Sequence, residues 1–420
     1  MALHRNIRRL LSSPRARSGT ALRVLFLLLV ASALTLIFGR NHGLLQFRRR
    51  ALRRHHLLLS TPDDRSEPFR LVTIDNGNIT DVKSVPLENR REEQTSLFNT
   101  HIVRHPDPHR SDEYFVAQEV HDGQILRVKL VDDDYDESVD QPHQPRLEVV
   151  QAEFTKGASP AYTLVTRDRK ALLCAHFMSP RVSALQVEPL KRLSTLELPI
   201  PRHVESHPHQ VVQHPRIANR FYIPDLGANK VHEVVLGEAG LAYRGSIDVD
   251  PSCVGPRHAV FESKSDTFLL ACQTSSSLLA IPVTKDGALS PSLAPAVSTL
   301  TDQILSSESH SQRADHYAVS AILLVPDQDL LFVANRQMNP PYDSDDTLAV
   351  FRPSSPTRRI GHVNLGCGQP RALTRLDAEH IAVACGGGGA GGAGLVILRM
   401  NGGITVVDRW DSGVAVWGIA

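Results

Sequence analysis

Two short segments carry the side chains best suited to acid–base chemistry beside a bound anion. His209 lies in His-Pro-His-Gln at residues 207–210, and Arg257 lies in Gly-Pro-Arg-His at residues 255–258. A histidine can accept and return a proton near neutral pH, and the planar fork of an arginine matches a carboxylate or a phosphate. These residue types predict a general acid/base at His209 and an anion anchor at Arg257. The alternative is a structural role for each, as a backbone hydrogen bond of His209 and an ion pair of Arg257 with a carboxylate.

The charge distribution narrows the class of partner. The 420 residues include 46 basic and 45 acidic side chains, but residues 1–62 hold twelve arginines and no acid. The remaining residues therefore have 34 basic and 45 acidic side chains, a balance of −11. Nucleic-acid binding depends on clustered positive charge, so we expect no nucleic-acid partner. Five widely spaced cysteines without a Cys-x-x-Cys pair exclude a small disulfide scaffold and an ordinary structural zinc site.

Three other segments resemble ligand sites but favour ordinary structure, and we predict no metal or other cofactor. The four histidines between residues 203 and 214 have a proline between two of them and no aspartate nearby, which favours a chance cluster. The acidic run at 132–137 lacks the glycine of a calcium loop and predicts a solvated loop. The glycine-rich run at 386–394 lacks the Gly-Lys-Ser/Thr ending of a phosphate loop and predicts a hairpin connection.

An apolar run near the N-terminus indicates a targeting segment. Residues 24–38 contain no charge, and six arginines lie on each side of them. A bilayer-spanning helix needs about 20 residues, and flanking arginines allow a shorter one. We interpret residues 24–38 as the signal anchor of a single-pass membrane protein of the secretory pathway, after a basic segment at 1–23 and before a linker at 39–68. A cleaved signal peptide, and hence secretion, or a mitochondrial presequence are the alternatives.

From residue 69 onwards the sequence repeats a unit of two apolar runs joined by a polar turn. Short runs of Val, Leu, Ile and Phe between Pro, Gly, Asp and Ser clusters are typical of an all-β protein. Equivalent points recur every 48 to 62 residues, which indicates a β-propeller. We predict seven blades over residues 69–420 and a monomer, with residues 71–74 and 413–419 sharing the last blade because that pairing removes an open sheet edge. The six visible copies are residues 113–131, 170–187, 219–236, 266–283, 329–351 and 379–398.

The chain resembles the seven-bladed lactonase propellers from about residue 70 to its C-terminus. The resemblance rests on residues 207–210, 222–231 (YIPDLGANKV), 255–258 and 333–336 (VANR). That family includes propeller-type 6-phosphogluconolactonases and carboxy-cis,cis-muconate lactonizing enzymes. It implies seven blades, no cofactor, and a small anionic lactone or sugar acid as the ligand.

Further ligand-binding candidates follow from the same resemblance. Glu119 and Arg336 are similar to channel-side positions of the family. His258 is another candidate, although adjacent strand residues point to opposite faces, which favours a structural role for it. Gln273 stands where relatives carry a glutamate.

Gln273 is one of several departures from the family pattern. This chain has Ala161-Tyr162 for Cys-His, His176-Phe177 for Asn-Tyr, and Ala321 near an expected acidic residue. A glutamine can hold a hydroxyl but cannot stabilise an imidazolium as a carboxylate does. Two functions therefore remain open. One is a lactonase or lactonizing isomerase, and the other is a non-catalytic, membrane-tethered propeller that binds a ligand or a protein.

Overall fold

The computed structural model describes residues 53–62, 64, 66–88, 99–132, 144–292, 294–307, 314–338, 346–387 and 391–420. The basic segment at 1–23, the anchor at 24–38 and most of the acidic run at 132–137 lie outside the described residues. Within the described part of the chain, no helix has the length and apolar character needed to cross a membrane.

Short β-strands make up nearly all of the regular structure. Among the described residues, one short helix, α1, covers Asp302–Ser306, and 3-10 turns cover Pro108–Arg110 and Ala314–His316. The strands are β1 Arg54–Ser60, β2 Phe69–Asp75, β3 Asn78–Val85, β4 Leu87–Glu88, β5 Asn99–Arg104, β6 Glu113–Gln118, β7 Gln124–Val131, β8 Arg146–Phe154, β9 Pro160–Val165, β10 Ala171–His176, β11 Arg181–Gln186, β12 Lys191–Glu197, β13 Val212–Gln213, β14 Arg220–Asp225, β15 Lys230–Gly237, β16 Gly240–Asp248, β17 Pro256–Glu262, β18 Thr267–Cys272, β19 Ser277–Pro282, β20 Val297–Ser298, β21 Tyr317–Val325, β22 Leu330–Gln337, β23 Thr347–Arg352, β24 Ser355–Asn364, β25 Pro370–Arg375, β26 His380–Gly386, β27 Ala393–Arg399, β28 Thr405–Asp411 and β29 Gly418–Ile419.

These strands form seven separate sheets, which confirms the predicted all-β propeller of seven blades. Six sheets have four strands, and the one that contains β4–β8 has five. In chain order we number them blade 1 (β29, β1–β3), blade 2 (β4–β8), blade 3 (β9–β12), blade 4 (β13–β16), blade 5 (β17–β20), blade 6 (β21–β24) and blade 7 (β25–β28). The six repeated segments of the sequence supply the two central strands of blades 2 to 7.

The blades are held together by apolar side chains on both faces of each sheet. In β18, Leu269 and Ala271 pack toward blade 6, whereas Phe268, Leu270 and Cys272 pack toward blade 4. Each of the seven interfaces between successive blades has such a cluster within the described residues. Burial of both faces explains why the central strands are continuous apolar runs rather than alternating ones.

Blade 1 joins the two ends of the described propeller, as the sequence predicts, but it begins earlier than expected. β29 pairs with β1 through Leu59 opposite Ile419 and Ser60 opposite Gly418, and β1 then pairs with β2. Residues 54–60 therefore belong to the blade, which corrects the predicted linker at 39–68 and the domain start at residue 69. The three buried leucines of β1, residues 57–59, are the physical reason, because they fill the contacts with blades 2 and 7.

Candidate functional site

A cavity of about 490 Å³ lies where the innermost strands of all seven blades converge. Its wall includes residues of β5, β9, β17, β21, β25 and β29, together with the segment that leads into β13. A site on the propeller axis therefore receives side chains from every blade. All six residues proposed from the sequence line this one cavity: Glu119, His209, Arg257, His258, Gln273 and Arg336.

β-Bulges orient the side chains at this end of the inner strands. In β17 the register skips from Pro256 opposite Cys272 to His258 opposite Ala271, so Arg257 is the extra residue. A bulge redirects a side chain that strict alternation would send to the other face. Both Arg257 and His258 consequently line the cavity, which corrects the expectation that His258 points away.

Similar β-bulges occur in two other blades. The register shifts between Asn99 and His101 in β5 and between Pro370 and Ala372 in β25, which leaves Thr100 and Arg371 as the extra residues. Thr100 and Arg371 also line the cavity. The bulges thus give several inner strands an additional side chain directed at the axis.

Three arginines form one side of the cavity, which we call the cationic arc and define as Arg257, Arg336 and Arg371. Arg257 Nη1 and Arg336 Nη2 each donate to Gln273 Oε1 at 3.2 Å. Arg257 Nε donates to the Ser320 carbonyl oxygen at 2.9 Å, which fixes the guanidinium to blade 6. Gln273 therefore holds two cations side by side without neutralising either of them.

The arc has more positive charge than the cavity wall balances. Burial, together with Arg336 and Arg371, lowers the pKa of Arg257 well below its ordinary value. Burial and Arg371 lower the pKa of Arg336 to about 9, against the opposing effect of Asp346. A guanidinium keeps its proton in proteins, so these shifts indicate cations that an anionic ligand would stabilise. Among the described residues, Arg336 Nε and Nη1 are buried without a hydrogen-bond partner.

Glu119 supplies the one carboxylate of the lining. Burial raises its pKa, while the Thr100 hydroxyl, Arg257 and Arg371 act in the opposite direction. Three arginines and one carboxylate give the lining a net charge of +2 when Glu119 is ionised and the histidines are neutral. This balance favours an anionic ligand and disfavours a cationic one.

Five rings form the other side of the cavity, which we call the ring arc: His101, Tyr162, His258, His209 and Phe177. Consecutive ring centroids lie 4.2, 5.7, 5.0 and 5.5 Å apart in that order. All four contacts are tilted or edge-to-face, with interplanar angles from 40° to 75°. Such geometry is favourable for aromatic neighbours. The rings therefore form a continuous wall from blade 2 to blade 5.

His209 occupies this wall as a neutral imidazole. Burial is the largest cause that lowers its pKa well below 6.5, and Arg257, His258 and Arg336 add to the lowering. Its main-chain N–H donates to the Pro224 carbonyl oxygen at 3.0 Å, which fixes the residue just before β13. Nδ1 has no hydrogen-bond partner among the described residues. A neutral ring next to the cationic arc can accept a proton without first losing one.

Two disulfides hold equivalent positions of blades 5 and 7. Cys253 is bonded to Cys272, and Cys367 to Cys385, with Cα–Cα distances of 5.3 and 6.1 Å. In each blade the first cysteine lies four residues before the arginine at the bulge, in Cys-x-x-Pro-Arg. The disulfides thus fix the loops that lead to Arg257 and Arg371.

Sequence reasoning did not identify Arg371, Tyr162 or Trp417 as ligand-facing. The guanidinium carbon of Arg371 lies 4.0 Å from the centroid of the Trp417 ring. The repeated Cys-x-x-Pro-Arg at residues 253–257 and 367–371 was the signal that would have paired Arg371 with Arg257. Tyr162, Phe177, Gln273 and Ala321, which depart from the family pattern, all line the cavity.

Comparison with known proteins agrees with this architecture. The family described as Lactonase, 7-bladed beta-propeller matches residues 136–387. That match covers more than half of the sequence, and the chain belongs to this family. None of the curated proteins matches it.

Solved structures of the same shape are distant in sequence. The periplasmic gluconolactonase of Pseudomonas aeruginosa is 19% identical, with a TM-score of 0.67 over 87% of this chain and 98% of that one. A 6-phosphogluconolactonase candidate from Bacteroides fragilis is 16% identical, with a TM-score of 0.65 over 88% of this chain and 98% of that one. A protein from Lactobacillus plantarum is 19% identical, with a TM-score of 0.66 over 87% and 98%. At these identities the likeness establishes the fold alone.

Proposed function

We propose that this lactonase-like propeller hydrolyses or forms the lactone of a small anionic sugar acid or carboxylated substrate, as the names of its structural neighbours suggest. The observation that carries the proposal is the position of a neutral His209 in the same cavity as three arginines and a single carboxylate. The arginines would hold the anionic group and the oxyanion, and the imidazole would move the proton.

The hydrolytic direction can be written for these residues. His209 removes a proton from a water molecule as the water oxygen adds to the lactone carbonyl carbon, and the carbonyl oxygen becomes an oxyanion. A guanidinium of the cationic arc stabilises that charge. The bond from the carbonyl carbon to the ring oxygen then breaks, and His209 returns its proton to the leaving oxygen. The products are a hydroxyl group and a carboxylic acid, which ionises. Lactone formation is the reverse sequence.

Arg257 and His209 have separable roles in this proposal. Arg257 binds the ligand's anion before and after the reaction, whereas His209 acts in the steps that transfer protons. His209 has no carboxylate among the groups that shift its pKa. Burial and the neighbouring cations therefore make its imidazolium a stronger acid than that of an ordinary histidine, which suits protonation of the leaving oxygen more than deprotonation of water.

A non-catalytic binding propeller is the second candidate. It is favoured by Gln273 and Ala321, neutral residues of the cavity wall where relatives carry acids. Anion binding by the cationic arc does not require these carboxylates, but activation of an imidazole gains from one. This candidate therefore predicts binding without turnover.

We further propose that residues 24–38 deliver the propeller to the non-cytosolic side of a secretory membrane. The two disulfides support this because structural disulfides are typical of oxidising compartments.

An exposed glycosylation sequon allows a test of this location. Asn78, in the sequon Asn-Ile-Thr, is exposed at the start of β3. We expect glycosidase treatment to shift the mass of the full chain expressed in animal cells, and Asn78→Gln to abolish the shift. Recovery of unmodified protein in the soluble cytosolic fraction would contradict this location.

Turnover of a panel of sugar-acid and carboxylated lactones by the full chain tests the enzymatic proposal. His209→Gln should lower kcat by about 10² to 10⁴-fold while the KM changes little. Arg257→Gln should raise KM by about 10-fold or more, since a charged hydrogen bond contributes about 1.5–3 kcal/mol. His203→Gln is the matched control because His203 is exposed and lies outside the cavity. Binding of the lactones without turnover would support the second candidate.

A further inference from the structure

The cationic arc brings like charges close together, so the rest of the protein must hold them in place. Burial lowers the pKa of both Arg257 and Arg336, and the neighbouring guanidinium groups of the arc lower each of them further. Like charges repel most strongly where water is excluded. The arginines would therefore move apart if the backbone segments that carry them were free to shift.

A buried carboxylate, Asp346, joins the backbone segments that carry Arg336 and Arg371. Asp346 is 3% exposed, immediately precedes β23 and lies outside the cavity lining. Its Oδ1 accepts the main-chain N–H of Gln337, the residue after Arg336, at 2.7 Å. Its Oδ2 accepts the main-chain N–H of Gln369, two residues before Arg371, at 2.5 Å. One carboxylate thus connects the end of β22 in blade 6 to the loop before β25 in blade 7.

A second link joins the same two segments. Gln369 Nε2 donates to the Gln337 carbonyl oxygen. Gln369 has a φ of +54°, in the left-handed region that residues other than glycine seldom adopt. Its main-chain bond to Asp346 and its side-chain bond to Gln337 hold it in that conformation. We call these three residues, Gln337, Asp346 and Gln369, the arc clamp.

The arc clamp supports donors that are ready for a ligand. Arg336 Nη2 donates to Gln273 Oε1, whereas Arg336 Nε and Nη1 are buried without a hydrogen-bond partner among the described residues. Asp346 also opposes the lowering of the pKa of Arg336, so its charge stabilises the cation. Donors that are already in place bind an anion more tightly, because no further ordering has to be offset on binding.

Building on the proposed function, we propose that Asp346 is a positioning residue that holds Arg336 and Arg371 at a fixed separation for an anionic ligand. It acts from outside the cavity, through the main chain, and does not touch the ligand. Its negative charge therefore supports the arginines without taking the place of the ligand. Gln369 is the second positioning residue of the same clamp.

Calorimetric titration of the full chain with inorganic phosphate tests this assignment. Asp346→Asn keeps the size of the side chain, but its single oxygen cannot span the two N–H groups, and we expect the dissociation constant to rise about 10-fold. Gln369→Asn tolerates the left-handed conformation but is too short to reach Gln337, and should raise the constant about 3-fold. Glu262→Gln is the matched control, because Glu262 is also a buried carboxylate that accepts a main-chain N–H, from Ser265, and it ends β17 outside the cavity lining.

A double-mutant cycle separates positioning from a loss of stability. In an Arg336→Gln background the clamp has lost one of the side chains on which it acts, so Asp346→Asn should raise the dissociation constant by no more than about 3-fold. The same 10-fold loss in both backgrounds would show that Asp346 acts through stability alone and would overturn the inference.

Two further outcomes are distinguishable. If Asp346→Asn does not fold, Gln369→Asn, at a partly buried residue, carries the test through the same cycle. Phosphate binding by the unmodified chain that neither clamp variant weakens would overturn the inference and leave the proposed function intact. If the unmodified chain binds no phosphate, the anion site fails, and the proposed function fails with it.

Discussion

Arg371 lies over the indole ring of Trp417, with its guanidinium carbon 4.0 Å from the ring centroid. The two residues come from different blades, since Arg371 is in β25 and Trp417 immediately precedes β29. The main-chain N–H of Trp417 donates to the Ser60 carbonyl oxygen at 3.0 Å, so closure of blade 1 also fixes the backbone that carries the ring. Closure of the propeller and formation of the cationic arc are thereby coupled.

Replacement of Trp417 should weaken anion binding. A cation–π contact contributes from about 0.5 kcal/mol to about 2 kcal/mol when desolvated. We expect Trp417→Ala to raise the dissociation constant for inorganic phosphate by about 2- to 30-fold, and Trp417→Phe to restore part of the loss. Trp410→Ala is the control because Trp410 packs between blades 1 and 7 outside the cavity. An unchanged constant in Trp417→Ala would show that the stacking does not position Arg371.

A carboxylate at position 273 should lower the affinity for anions, although relatives carry one there. Gln273 Oε1 accepts from two guanidinium groups, so Gln273→Glu would form ion pairs with both and reduce the net charge of the lining from +2 to +1. We expect a loss of about tenfold in phosphate binding by calorimetry. Gln273→Met removes the hydrogen-bond acceptor without adding charge. It therefore separates the effect of positioning the two guanidinium groups from the effect of the net charge of the lining. Tighter binding in Gln273→Glu would contradict the assignment of the arc as the anion site.

The disulfide of blade 7 should affect both stability and the site. Cys367 and Cys385 are 18 residues apart, and a loop of that length corresponds to about 3 kcal/mol of stabilisation. We expect Cys367→Ala/Cys385→Ala to lower the melting temperature and to weaken anion binding, because the loop before Arg371 loses its fixed end. Cys174→Ala, at a free buried cysteine, should lower the melting temperature without changing the affinity. Unchanged affinity in the double variant would limit the disulfide to stability.

Acid should destabilise the propeller through buried histidines. Burial lowers the pKa of His101 to about 4 and that of His176 to about 3. Below pH 6.5 the unfolded chain binds protons at these positions and the folded chain does not, so the free energy of unfolding falls as the pH falls. Near pH 5 two such groups give a slope of about 2 to 3 kcal/mol per pH unit. Denaturant unfolding at pH 4.5 to 7 measures it.

One histidine variant and one control test the origin of that slope. His176→Asn should reduce the slope by the contribution of about one proton, because His176 is buried against Ser183 outside the cavity. His121→Asn should leave the slope unchanged, since the His121 side chain is 95% exposed. A slope that is the same in all three proteins would show that His176 does not titrate as its burial implies.

The central strands were predictable because the propeller buries them on both faces. Six pairs of apolar runs recur at a regular spacing in the sequence. The residues that mark equivalent points of these pairs are all fully buried: Phe115, Leu172, Phe221, Leu269, Leu331 and Ile381. β1 was harder to predict as a strand, because its three leucines follow two histidines and a group of arginines that are typical of a linker. One of its two partner strands, β29, is distant in sequence, and its leucines are buried against blades 2 and 7.

The site was predictable by residue type but not by orientation. His209 and Arg257 were identified from the chemistry they can perform, and both line the cavity. His258 was expected to face away, since a period of two does not anticipate the bulge at Arg257. Bulge positions depend on the register between strands, which a single sequence does not specify.

We expect His209 and the cationic arc to act on one ligand in the axial cavity. A crystal structure of the full chain with a bound hydroxy acid, the product of lactone opening, tests this expectation. The anionic group should lie within about 3 Å of the guanidinium nitrogens of Arg257 and Arg336, and a hydroxyl should lie within hydrogen-bond distance of a His209 ring nitrogen. A ligand bound outside the cavity, or one held by the arginines with no reacting atom in reach of His209, would contradict it.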